Sequence, residues 1–191
     1  MEEIYNEVFE KVDYKEQPFI KGEYENCTFR NCDFQKAELS NTIFIDCTFI
    51  GCNLSLVKLV GTTFRDVQFK DCKMLGMRFD TCSKQGLTFS VDNCTLNHSS
   101  FFGTALKKLS FKNSQLQEVD FTESDLSNSV FDNCDFASAA FEHSNLEKVD
   151  FRRSYNYAIN PENNRIKKAK FSLSAVAGLL AKYDIDIDNK S

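Results

Sequence analysis

Eight cysteines and two histidines are the residues of this 191-residue chain best suited to chemistry. Cys27 with Cys32, and Cys47 with Cys52, are spaced as pairs, which raises a disulfide or a zinc site. His98 and His143 could complete such a set or act as bases. Their places in the chain argue otherwise. Cys27, Cys32, Cys47, Cys52, Cys72, Cys82, Cys94 and Cys134 all stand two residues before a slot that is apolar and large in every case but Lys84. A free cysteine there behaves as a small buried hydrophobe. Both histidines stand two residues after such a slot, where they face solvent. No nucleophile, general base and orienting partner can be assembled around them. A Walker A loop and a dinucleotide fingerprint are missing. The expectation is a protein without catalytic residues, cofactor or metal.

The slots themselves define the elements. Large apolar residues recur every fifth position from Phe9 to Phe79, fail at Lys84, resume at Phe89, and recur again from Leu96 to Phe151. Of the 19 Phe, 17 occupy these slots. A helix needs a period of about 3.6 and a simple strand a period of two, so five fits neither. The residue two places earlier is small or β-branched in many repeats, as at Ala37, Val57, Thr62, Ser114, Ser129 and Val149. Asp or Asn often precedes the slot. Gly51, Gly61, Gly76, Gly86 and Gly103 follow a slot by two places, where a corner favours a residue without Cβ.

This pattern resembles that of the pentapeptide-repeat family, A(D/N)LXX, in the segments CDFQK, CNLSL, VDFTE, SDLSN, CDFAS, SNLEK and VDFRR. The resemblance covers residues 9 to 151. It implies an all-β fold, a right-handed quadrilateral β-helix with four pentapeptides per coil. The slot and the small residue then point inward. Residues twenty apart should stack, which sets Phe9, Phe29, Phe49, Phe69 and Phe89 in one column. Phe101, Phe121 and Phe141 form a second, and Phe111, Phe131 and Phe151 a third. About seven coils at ~4.8 Å each give a rod of roughly 34 Å. The step from Phe89 to Leu96 is two residues too long, which places a bulge in SVDNCT within an irregular stretch at 80–95. Residues 1–20 read as a degenerate capping coil.

The repeat domain is expected to span 1–151 and a C-terminal module 152–191. RRSYNYAINPENNR reads as a loop. FSLSAVAGLLAKYD reads as one short helix capped by Ser172 or Ser174, and DIDID as a short terminal strand.

Charge adds a further constraint. The chain carries 23 Lys+Arg against 28 Asp+Glu, a net charge of -5. The balance is uneven: net -6 over residues 1–57, +5 over 58–112, -8 over 113–151 and +4 over 152–191. The acids of the third block are Glu118, Asp120, Glu123, Asp125, Asp132, Asp135, Glu142, Glu147 and Asp150. None holds an inward slot, so they coat about two coils, either as a solvated surface or as an anionic surface for a basic partner. The central basic residues lack interleaved exposed aromatics, so direct nucleic-acid binding is not expected. No run of ~18 apolar residues suggests a membrane span. The acidic start MEEIYNEVFE lacks the features of a secretory signal, and a cytoplasmic location is expected.

The tail INPENNRIKKAKFSLSAVAGLLAKYDIDI is similar to that of pentapeptide proteins acting on DNA gyrase, the Qnr, MfpA-like and microcin-immunity group. The resemblance implies a homodimer through Phe171, Leu173, Val176, Leu179, Leu180, Tyr183, Ile185 and Ile187. It also implies a DNA-mimicking rod that binds DNA gyrase or topoisomerase IV and modulates it or protects it from quinolones or peptide toxins. The alternative is a structural scaffold for an unrelated protein partner. The long outward loops of many Qnr proteins are absent, so the loopless MfpA-like plan is the nearer likeness.

Overall fold

A computed structural model describes residues 2–188. It contains eleven short strands: β1 Glu2–Tyr5, β2 Val8–Glu10, β3 Gly22–Glu25, β4 Thr28–Arg30, β5 Ile43–Ile45, β6 Thr48–Ile50, β7 Thr63–Arg65, β8 Val67–Lys70, β9 Phe89–Asp92, β10 Ser110–Lys112 and β11 Val130–Asp132. All pairings are parallel, forming a four-stranded sheet β1-β3-β5-β7 and a seven-stranded sheet β11-β10-β9-β8-β6-β4-β2. Two further walls are built from isolated bridges, such as Asp33↔Asn53 and Glu38↔Lys58. The chain is a four-walled parallel β-solenoid.

The five-residue period follows from the corners. The residue two places after most slots has positive φ, as at Asn26 (53°), Asp46 (50°), Asn128 (63°) and Gly61 (70°). That conformation turns the backbone, and many corners close with a bond from the next inward residue, such as Ala37 N–H to the Phe34 carbonyl at 2.8 Å. Asn is common at corners because it tolerates this region and can bond to its copy one coil away. Asn26 donates to Asn6 at 2.7 Å and Asn133 to Asn113 at 3.0 Å.

Inside, slot residues stack as their spacing predicts. Phe9, Phe29 and Phe49 lie 4.8 and 4.7 Å apart, nearly parallel. Phe101, Phe121 and Phe141 repeat this at 5.1 and 5.2 Å, and Phe131 stacks on Phe151 at 5.3 Å. Such spacing suits offset stacking between aromatic faces.

The phase slip lies elsewhere than the sequence suggests. Pairing is already shifted at β9, where Phe89 faces Val67 and Val91 faces Phe69. Ser83 N–H still bonds the Thr62 carbonyl in the old register, as Thr63 N–H does that of Thr42. The extra residues therefore sit in the corner at 82–88, upstream of SVDNCT. Phe89 does not continue the Phe69 column. It takes the small-residue position, meets Phe69 edge-on at 6.0 Å, and stacks on Phe79 at 5.3 Å. Val91 is the slot residue between Phe69 and Phe111. The cause is Lys84. Without a large apolar group, that repeat has no anchor, and the chain swings outward before Leu87 and Phe89 re-enter the core. The seven-stranded sheet runs past this point, whereas the four-stranded sheet stops at β7.

The solenoid also outlasts Phe151. Bridges Asn145↔Arg165 and Asp150↔Lys170 continue the walls, and Phe171 stacks on Phe151 at 5.6 Å. The segment expected to be a loop is thus part of a further coil. Asn156 and Pro161 occupy its slots, which hides it from a search for apolar residues. Tyr157 and Ile159, one place after and two before those slots, are buried instead. The expected helix is two short 3-10 turns, Val176–Leu179 and Ala181–Tyr183. Neither has a side-chain cap; Ser172 and Ser174 bond each other at 3.1 Å. Asp184, in the left-handed region at φ 48°, ends the second turn. Residues 184–188 form no strand. Gly178 and the β-branched Val176 disfavour a continuous α-helix here.

Candidate partner interface

The acidic block rings the rod. Four bridge ladders, one per wall, each carry an acid: Ser100↔Asp120↔Ala140, Ala105↔Asp125↔Asn145, Val130↔Asp150↔Lys170 and Gln115↔Asp135↔Tyr155. The remaining five acids are partly or fully exposed on the same coils. The structure brings the nine to one level of the solenoid and distributes them around its circumference, not on a single face.

Many are neutralised by the basic coils on either side. Lys107 lies 3.2 Å from Asp125; His98 Nδ1 lies 3.2 Å from a Glu118 oxygen, a contact that is an ion pair only when the imidazole is protonated. Arg153 lies 2.9 Å from Asp132, Arg165 2.9 Å from Glu147, and Arg152 2.7 Å from Asp150. Asp120, Glu123, Asp135 and Glu142 form no ion pair among the described residues. Asp135 instead accepts from the amides of Gln117 at 2.7 Å and Asn156 at 2.8 Å, and Glu142 accepts from Asn163. Partial burial pushes the Asp135 carboxyl up, but the Gln117 and Asn156 amides outweigh it and hold it below its ordinary value. The Arg152 guanidinium, chief among several groups, likewise holds Asp150 low. These carboxylates are charged at neutral pH.

The C-terminal module divides in two. Phe171 and Leu179 pack on the core. Leu173, Val176, Leu180, Tyr183, Ile185 and Ile187 are exposed, Leu173 to 92%. Tyr183 donates to Glu162 at 3.0 Å, and Lys182 pairs with the same carboxylate. Gly178 lies flat against the last coil: a Cβ there would fall 2.1 Å from the Tyr157 carbonyl oxygen. Ile159 N–H bonds the Gly178 carbonyl at 3.0 Å across the same contact. Sequence reasoning missed this anchor because one glycine in a helical pattern signals nothing specific. The +4 of residues 152–191 was legible in the sequence, but not that Arg152, Arg153, Arg165, Lys167, Lys168 and Lys170 lie on a coil between the acidic block and the module.

The cysteines are free and buried. The Sγ of Cys47, Cys52 and Cys72 donate to carbonyls of the preceding coil, those of Tyr24, Phe29 and Phe49, at 3.2, 3.3 and 3.5 Å. Burial pushes the Cys47 and Cys134 thiols up to about 12. Among the described residues no group of three His, Cys, Asp or Glu is placed to hold a metal ion. No helix is long and apolar enough to cross a membrane.

Comparisons with known proteins agree with this architecture. The family model described as a pentapeptide repeat region matches residues 23–101, and that of pentapeptide repeats (8 copies) matches 114–153. No curated protein sequence matches the chain. Among solved structures, a trypsin-treated variant of QnrB1, a plasmid-mediated fluoroquinolone resistance protein, is 18% identical, with 98% of this chain and 100% of that chain covered and a TM-score of 0.64. A second trypsin-treated QnrB1 variant is 19% identical, with 97% of each chain covered and a TM-score of 0.58. HetL, a pentapeptide repeat protein involved in heterocyst differentiation regulation from Nostoc sp. strain PCC 7120, is 13% identical, with 90% of this chain and 84% of that chain covered and a TM-score of 0.48.

Proposed function

The chain belongs to the pentapeptide-repeat family, and from that premise we propose that it is a non-catalytic protein that binds DNA gyrase or topoisomerase IV as a mimic of duplex DNA. Its binding would modulate the enzyme or protect it from quinolones or peptide toxins. The observation carrying this reading is the end-to-end likeness in fold to a fluoroquinolone resistance protein. Duplex DNA presents about one charge per 1.7 Å of axis. A rod ringed by carboxylates offers a comparable field from every side, and a basic groove would recognise it by electrostatic complementarity. Among the described residues Glu123, Asp135 and Glu142 form no ion pair and Asp120 feels only the field of Arg78 without pairing with it, so these four are assigned the main contacts. The exposed apolar side chains of the C-terminal module suit a two-fold joint between copies, since such an area favours burial against its own kind.

The test is binding of purified gyrase to the wild-type protein and to a variant carrying D120K, E123K, D135K and E142K. The variant should stay folded, with a melting temperature lowered modestly by loss of the Asp135 bonds to Gln117 and Asn156, and bind at least about 100-fold more weakly, since reversing several charges converts attraction to repulsion. Unchanged affinity in a folded variant would remove this surface from the interface. The internal ion pairs favour a second reading, in which the rod is a scaffold for an unrelated protein. Recovery of some other partner from lysate, with no affinity for purified topoisomerases, would support it.

A further inference from the structure

The corner at 82–88 leaves a cavity, and we infer that this cavity is a binding site for a small aromatic carboxylate. Its origin is the missing slot residue. At the other slots from Phe9 to Phe151 a large apolar group fills the core, and hydrogen bonds join successive coils at the corners. Here Lys84 stands in the slot and points away from the core. Among the described residues no backbone hydrogen bond joins 81–87 to 102–108. The two coils part and enclose about 270 Å³ between them. Ligand pockets commonly begin near ~300 Å³, so a two-ring molecule is the size class that fits.

The lining sets the chemistry. Phe79, Cys82, Leu87 and Phe102 are its apolar lining residues of size, with Lys84 and Asp80 as its charged members. Phe79 is fully buried, while Phe102 is 45% exposed. Phe102 is one of two phenylalanines outside the repeat slots, so the core pattern does not account for it. An exposed ring beside an apolar recess offers a face on which a flat ligand can stack. The two charges are not equivalent. Asp80 is already bound by Arg78 through two bonds of 2.8 and 2.6 Å. Lys84 has no ion pair among the described residues. The recess is therefore apolar within and cationic at its lip. That combination selects an aromatic body bearing one anionic group over a cation or a sugar.

This site borders the acidic block through the Ala105↔Asp125 bridge but has none of the block's nine carboxylates in its lining, and it does not depend on gyrase binding. The probe is naphthoate, with uncharged naphthol as its control, followed by calorimetry and by amide NMR shifts. The wild type should bind naphthoate one-to-one with shifts centred on 79–87 and 102–105, and naphthol about tenfold more weakly, as expected for loss of one charge-assisted contact. K84Q should lower naphthoate affinity to the naphthol level and leave naphthol unaffected. A105L, at an exposed position on the mouth, should abolish both without altering the melting temperature. No saturable binding, shifts dispersed over the rod, or equal binding by A105L would overturn the assignment. Naphthol binding as well as naphthoate would overturn its anionic specificity.

Discussion

Two residues before the slots, several cysteines and serines and Thr62 play one part, donating to a carbonyl of the preceding coil. Ser129 and Ser144 donate to the Leu106 and Phe121 carbonyls at 2.8 and 2.7 Å, as Cys52 does to Phe29. This equivalence was legible from spacing, and the thiol chemistry that cysteine pairs suggest was excluded by the same spacing. Burial raises several of these thiols, so the native protein should resist thiol reagents for the length of an assay, while all eight cysteines react on denaturation. Rapid labelling of the folded protein would contradict the inward placement. The aspartates titrate in the opposite sense. Asp125, Asp135 and Asp150 have folded pKa values below the ordinary 3.8. Each therefore contributes stability that is present above that value and lost as pH falls through the folded value. The melting temperature should stay level down to about pH 5 and fall below about pH 4. A decline already complete at pH 5 would show that these carboxylates are not held as described.

At the scale of elements, legibility tracks how a repeat is anchored. Where Phe or Leu holds the slot, the wall, the stacking and the inward residues followed from sequence. Where Lys84, Asn156 or Pro161 holds it, the reading failed, because the anchoring group comes from a neighbouring position: Leu87 and Phe89 in one corner, Tyr157 and Ile159 in the last coil. A five-residue count cannot see such substitutions, whereas three-dimensional packing can. The C-terminal turns failed for a related reason. Their conformation is set by contact with the last coil, not by helix propensity. Gly178 carries that contact, and G178A should push the turns off Tyr157. The expected result is loss of the proposed dimer, with a melting temperature lowered by several degrees, consistent with ~1–3 kcal/mol of overpacking. A G178A protein that sediments as the wild type would show that the module does not depend on this approach.

Over the whole molecule, bands of charge alternate along the axis, and ion pairs stitch their borders. Lys107 reaches Asp125 from one side, while Arg153 and Arg165 reach Asp132 and Glu147 from the other. The sequence showed the bands but not the pairs, since pairing depends on which residues the twenty-residue coil sets side by side. These exposed pairs are individually weak, so a partner's Lys and Arg can replace the intramolecular ones at small cost. Binding to such a partner should weaken steeply with salt. The most direct test of the central claim is DNA supercoiling by gyrase over a range of concentrations of this protein, with and without a fluoroquinolone. The account predicts inhibition of supercoiling, or its rescue from the drug, at micromolar concentrations or below, with D120K, E123K, D135K and E142K together removing the effect. Supercoiling unchanged in both arms by well-folded protein would contradict it.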